Sequence, residues 1–200
     1  MSRPTMSEQT RSQFRTELCS AALKLLAERG EAGVTMRAVA GEVGCGVATP
    51  YRYFSDKEAL FTAVRVRGFH RFADRIEAAL AGVADPLDRV RAVGKAYLAF
   101  AVDEPQAFRV MWAVPHTERP PVLADAVERG WDLCLAEVSG AVHQGLLHGD
   151  PVLIANLLWV GVHGLASLQQ AGKLTRGRSA NSLADPVVDA TLRAFQGGVP

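Results

Sequence analysis

Apolar residues recur at three- and four-residue steps along almost the whole chain, and no stretch alternates apolar with polar residues as a half-buried strand would. A chain patterned this way has to bury its apolar stripes helix against helix, so the expected fold is all-α. Glycine and proline clusters divide the periodicity into about nine helices. The first is expected over residues 12–29, with Phe14, Leu18, Ala21, Ala22, Leu25 and Leu26 on one face and Gly30 ending it. Thr35 caps a short helix over 36–43, Gly44, Cys45 and Gly46 make a tight turn, and a second short helix covers 47–54. Ser55 and Glu58 read as a capping box opening a long helix that reaches residue 80. Beyond it, Asp85-Pro86 starts a helix to 102, Glu104-Pro105 one through 112, and Asp150-Pro151 one to 171. Helices over 122–147 and 185–195 complete the set, with loops over 114–121 and 173–181.

A length of 200 residues suits a small domain joined to a larger one. The pattern divides it into a polar arm over 1–11, a compact unit over 12–60 and a larger helical unit over 61–200. With 48% hydrophobic and 22% charged residues a sizeable core is available, and disorder is confined to the ends. The net charge of +1 hides an asymmetry: residues 1–80 carry +3 and residues 81–200 carry −2, which fits one end facing a polyanion and the other averted from it. Cys19, Cys45 and Cys134 are odd in number and widely spaced, so they make no disulfide framework. The N-terminal residues contain no apolar signal core. The longest apolar stretch, 152–168, is interrupted by Asn156, Gly161, His163, Gly164 and Ser167 and reads as too short and too polar to span a bilayer. A reducing cytoplasm is the expected compartment.

The segment 34–60 carries most of the chemistry: two short helices flank a glycine-bearing turn and a threonine caps the first, which is helix-turn-helix grammar. Gly44 suits the turn because a left-handed backbone costs little without a Cβ. The second helix is too short to stand alone, as befits an element held by packing and offered to a groove. Over residues 12–65 the chain resembles the TetR family of bacterial regulators. The resemblance rests on the run from Ala21 to Gly30, on Thr35, Val39-Ala40 and Val43-Gly44, and on Tyr51-Arg52-Tyr53-Phe54-Ser55-Asp56-Lys57-Glu58-Ala59-Leu60. Two positions depart from the family pattern: Gly46 where a serine cap is frequent, and Pro50 where leucine or isoleucine is common. Proline in a helix's first turn is tolerable, which puts the start of the reading helix no earlier than about Val47.

That resemblance implies DNA roles by position. Thr49, Tyr51, Arg52 and Tyr53 would face the major groove, Arg52 being able to read guanine bidentately. Thr35 and Arg37 would meet phosphates, as would Lys57 at the start of the next helix. Phe54 and Leu60 read as core, Tyr51 and Tyr53 as partly so. Arg3 and Arg11 in the arm are weaker candidates for the minor groove, and Cys45 reads as a small turn residue rather than a redox switch.

The larger unit holds no paired acid and base, no phosphate loop and no metal-ligand spacing among His70, His116, His143, His148 and His163. No cofactor is expected. It does hold Phe100, Phe108, Met111, Trp112, Trp131, Cys134, Trp159 and His163, each of which is either core or the wall of an apolar pocket for a small-molecule effector. The stretch Trp159-Val160-Gly161-Val162-His163-Gly164, with 104–111 before it, resembles the Trp…His-Gly class of TetR-family C-terminal domains. The last two long helices carry more apolar surface than one wet face allows, so a homodimer sealed by a four-helix bundle is expected. Its two reading elements, roughly 34–36 Å apart, would match a palindromic operator on double-stranded DNA. A repressor released by a small apolar ligand follows from the resemblance. A ligand-binding protein with a vestigial DNA head, or an all-α enzyme, fits the residues less well, the second because no catalytic constellation is present.

Overall fold

The computed structural model describes residues 8–112 and 120–197. Arg3, His116 and most of the expected loop over 114–121 lie outside them. Among the described residues there is no strand, and there are eight α-helices: α1 (Glu8–Arg29), α2 (Met36–Val43), α3 (Lys57–Leu80), α4 (Pro86–Asp103), α5 (Pro105–Trp112), α6 (Pro121–His143), α7 (Pro151–Gln170) and α8 (Ala180–Gln196). The all-α expectation holds. The count falls one short of nine because the expected helix over 47–54 is only a 3-10 turn, Pro50–Arg52.

Proline explains the loss. In an α-helix starting at Val47, residue 50 supplies the first main-chain donor, to the carbonyl of Gly46, and proline has none to give. The backbone makes tighter turns instead: Thr49 N donates to Gly46 O at 2.8 Å, Arg52 N to Thr49 O at 3.0 Å, and Tyr53 N and Phe54 N both to Pro50 O at 3.0 Å.

Caps fix most other boundaries. The Asp85 carboxylate accepts from Leu87 N and Asp88 N at 2.9 Å, with Pro86 following it, and Asp150 caps α7 through Val152 N in the same way. Four boundaries differ from expectation. Helix α6 ends at His143, where Gln144 N donates to Gly140 O, instead of running to 147. Helix α1 already includes residues 8–11, so Arg11 is helical. At α3 the cap is Asp56, which accepts from Ala59 N at 2.8 Å, while Ser55 donates to Asp56 and Glu58 pairs with Arg65 rather than reaching back. At α8 a capping box between Ser179 and Ser182 starts the helix at Ala180, five residues early, and Pro186 is carried inside it.

Two apolar cores result. The front core contains Leu18 and Leu25 of α1, Val34, Val39 of α2, Phe54, and Leu60, Phe61 and Val64 of α3, with Val110 arriving from α5. The rear core contains Phe69, Phe72, Ile76 and Leu80 of the same α3, then residues of α4 to α8. Helix α7 is 20 residues long with a mean hydropathy of 1.6, so by length and composition it could cross a bilayer, contrary to the expectation drawn from 152–168. Its Ile154, Ala155, Leu158, Val162, Leu165 and Ala166 are instead buried against protein.

Helix α8 is seated by two valines in two glycine notches. A Cβ on Gly161 of α7 would lie 2.5 Å from Val187 Cγ1, and one on Gly94 of α4 would lie 2.8 Å from Val188 Cγ2. Gly161→Ala should therefore cost about 1–3 kcal/mol through overpacking, read as a lowered urea midpoint at fixed protein concentration. Gly140→Ala, with open space around it, should be neutral or gain up to about 1 kcal/mol. Equal effects of the two changes would exclude the notch as the reason for Gly161.

Candidate nucleic-acid interface and buried cavity

The front unit presents its turn as the residue types require. Thr35 Oγ1 accepts from Ala38 N at 3.1 Å and starts α2. Gly44 ends it at φ +75°, ψ +33°, a left-handed position, and Cys45 N donates to Ala40 O at 2.9 Å, closing the turn. Pro50 and Phe54 are buried, so the short reading element is pinned by one side and turns the other outward. Tyr51 is 54% exposed, Val47 is 49% exposed, and Arg52 is also exposed.

The residues singled out in the sequence are therefore not equivalent. Arg37, Tyr51 and Arg52 project from the surface, and Thr35 is exposed but already occupied as a cap. Thr49 is half-buried. Tyr53 packs on Phe14 of α1, ring centroids 5.1 Å apart, while its carbonyl accepts from Arg15 at 3.1 Å. Lys57 is half-buried: its ammonium donates to Glu31 O at 3.0 Å and sits 5.3 Å from the centroid of Phe61. Nothing in the residue pattern singled out Val47, because its exposure depends on Pro50 having replaced helix by turn. An exposed apolar side chain beside Tyr51 is suited to a thymine methyl.

Helix α3 carries the one buried charged residue among those described, Arg65. Its guanidinium donates to Glu58 at 2.7 Å and to Val110 O of α5 at 3.3 Å, where the front core, α3 and α5 meet. Helix α5 faces both ways: Val110 belongs to the front core, while Phe108 and Met111 belong to the rear one.

The rear unit encloses a cavity of about 310 Å³. Phe69 and Phe72 of α3, Tyr97 of α4, Trp112 of α5, Trp131 and Cys134 of α6, and Trp159 of α7 supply much of its wall. Of the eight residues singled out in the sequence, Trp112, Trp131, Cys134 and Trp159 line it. Phe100, Phe108, Met111 and His163 do not. Phe100 is fully buried core, and Met111 fills the space over Gly68. His163 stands behind the wall among the rings of Tyr97, Phe108, Trp112 and Trp159, at centroid distances of 5.1–6.2 Å. Phe69, Phe72, Tyr97, Glu128 and Asn156 were missed. The three-residue spacing of Phe69 and Phe72 was visible, but it marks core and cavity wall alike.

The Tyr97 hydroxyl lies 2.7 Å from His163 Nδ1, and which of the two donates follows the imidazole tautomer. Burial raises the Tyr97 pKa well above the phenol range and lowers that of His163 below its usual 6.5, keeping both neutral. Burial also pushes the Cys134 thiol up to about 12, so it is inert as a nucleophile.

Two family models match. Residues 18–64 match "Bacterial regulatory proteins, tetR family", and residues 90–195 match "Tetracyclin repressor-like, C-terminal domain". The HTH-type transcriptional regulator Rv1255c of Mycobacterium tuberculosis (strain ATCC 25618 / H37Rv) is 31% identical over 148 residues, 72% of this chain and 70% of that protein. Among solved structures, a protein of unknown function from Rhodococcus sp. RHA1 superposes with a TM-score of 0.84 at 26% identity, covering 92% of this chain and 95% of that one. The regulator FadR from Bacillus subtilis in complex with stearoyl-CoA gives 0.76 at 13% identity, covering 90% and 98%.

The buried histidine has a sign that can be measured. With its folded pKa below the unfolded value of 6.5, the unfolded chain binds more protons there, so its contribution is complete above that pH and is lost as pH falls beneath it. The urea midpoint should drop between pH 7 and pH 5, and it should drop less steeply in His163→Asn. Identical slopes would mean that His163 is not held neutral.

Proposed function

This chain belongs to the TetR family of bacterial transcription regulators, and from that premise we propose that it is a cytoplasmic repressor that binds a palindromic operator as a homodimer and is released by a small apolar ligand in the rear cavity. Its relatives are regulators rather than enzymes. The observation that carries the reading is the sharing of α3 and α5 between the two units. Phe69 and Phe72 of α3 and Trp112 of α5 line the cavity, while Leu60, Phe61, Val64 and Val110 of the same two helices sit in the core under the reading element. A ligand that pushes on the first set moves the second, and with it the spacing of two reading elements across a dimer. Coupling of this kind is typically about 1–3 kcal/mol, a factor of 5–150 in affinity.

The outer face of α7 supports the dimer. Leu153, Leu157, Val160 and Leu168 follow one another at helical spacing around Gly164 and are 42–60% exposed. A second copy packing α7 and α8 against this face would bury the stripe in a four-helix bundle. Arg37, Tyr51 and Arg52 form the outward set for DNA, and Lys57 is the candidate phosphate contact next to them.

Selection of random duplex DNA on the purified protein at two salt concentrations should enrich a palindrome. Arg52→Ala should then flatten preference at one position by about 1–3 kcal/mol, whereas Lys57→Ala should weaken all sequences alike and reduce the salt slope by about 1. No enrichment, or full preference retained in Arg52→Ala, would remove the assignment. Leu157→Glu should turn the dimer into a monomer in sedimentation velocity and abolish operator binding; a dimer that survives the change has its interface elsewhere.

A further inference from the structure

The cavity has a polarity that narrows what it holds. Among the described residues no lysine, arginine or histidine lines it, and apart from the neutral Tyr97 and Cys134 the single ionisable lining residue among them is Glu128. Of all the lining residues only Glu128 on α6 and Asn156 on α7 are exposed, so the mouth opens between them. Glu128 takes part in none of the ion pairs of the described residues, whereas its neighbour Arg129 is committed to Asp74 and Glu77 at 2.8 Å each. Asp125 and Asp132 stand one turn to either side of Glu128 on the same shallow groove. Among the described residues the approach to the cavity thus carries three carboxylates beside the ion-paired Arg129.

The interior asks for something different. At the inner end the Tyr97 hydroxyl is already engaged by His163, and the Cys134 thiol stays protonated. A guest therefore finds satisfied polar groups and six aromatic side chains: Phe69, Phe72, Tyr97, Trp112, Trp131 and Trp159. The cavity measures about 310 Å³. A coenzyme A phosphate at the mouth would meet carboxylates, so the ligand held by the Bacillus FadR does not suit this cavity in charge.

We propose that the effector is a compact cationic amphiphile, with an apolar body of one or two fused rings among the aromatic side chains and an ammonium group at the mouth beside Glu128 and the indole of Trp131. The inference rests on the cavity being the effector site. Indole faces attract cations, more so away from bulk water, and the carboxylate supplies the counter-charge. An anion of the same body would lose its hydration for no partner.

Three probes that share a naphthalene body separate charge from shape: (2-naphthylmethyl)trimethylammonium, neutral 2-ethylnaphthalene and 2-naphthylacetate. Titration calorimetry on the full-length protein should show the ammonium binding about tenfold tighter than the neutral probe, with no measurable binding of the acetate. Glu128→Gln should remove most of that tenfold preference and leave the neutral probe's affinity unchanged, a result that mere misfolding cannot mimic. Acetate binding as tightly as the ammonium, or an ammonium affinity insensitive to Glu128→Gln, would overturn the proposal while leaving the cavity as a site for another class. Failure of all three probes to bind at millimolar concentration would overturn it as well. The effector reading is tested apart, by whether the ammonium probe lifts the protein from its selected operator: binding without release would sink that reading and leave the cavity's charge preference standing.

Discussion

Helix α3 has to satisfy two cores with one backbone. Its 24 residues extend about 36 Å at 1.5 Å per residue, and the change of allegiance falls between Val64 and Phe69. A regular helix cannot bend there without losing main-chain hydrogen bonds, so any tilt that the rear core imposes reaches the front core as a rigid displacement. Arg65 lies next to that junction with its charge buried. Taking such a charge out of water costs several kcal/mol unless it is well bonded, and its partners are Glu58, one end of the same helix, and the carbonyl of Val110 on α5. The buried cation thus penalises any arrangement in which α5 and the head of α3 separate.

The remaining helices hold α3 at the rear. Arg129 of α6 bridges Asp74 and Glu77, Arg71 and Arg75 reach Glu104 and Asp103 near the end of α4, and Arg89 of α4 makes a two-pronged pair with Glu137 of α6. Pairs at or near the surface are each worth little. Their effect lies in orientation, since they join α3, α4 and α6 around a cavity that leaves part of their inner faces unpacked.

How much of this was legible depended on how local its cause was. The caps at Asp85, Asp150 and Thr35 and the left-handed Gly44 could be read directly, because each acts within four residues of itself. Pro50 was visible too, but its consequence turned on one residue of register: one position nearer the start it would have been harmless, and at 50 it removes the first helical donor. The cap of α3 is Asp56 rather than Ser55, and Glu58 pairs with Arg65 seven residues on instead of reaching back, a partner that lies outside the four-residue range of a cap. The cavity was the least legible part. Aromatic side chains at helical spacing look the same whether their neighbours fill the space or leave it, and only the packing of six helices separates Trp112 and Trp159, which line the hollow, from Phe100 and Phe108, which do not.

The chain contains three tryptophans, Trp112, Trp131 and Trp159, and all three stand on the wall of the one cavity. None reports from the reading element, from the core beneath it or from the apolar outer stripe of α7. The ultraviolet emission of the intact protein is consequently a local signal: indole fluorescence excited at its red edge comes from the hollow alone, without a dye and without a background from the rest of the molecule. Occupancy of the chamber, its hydration and its collapse are all written in one native optical channel.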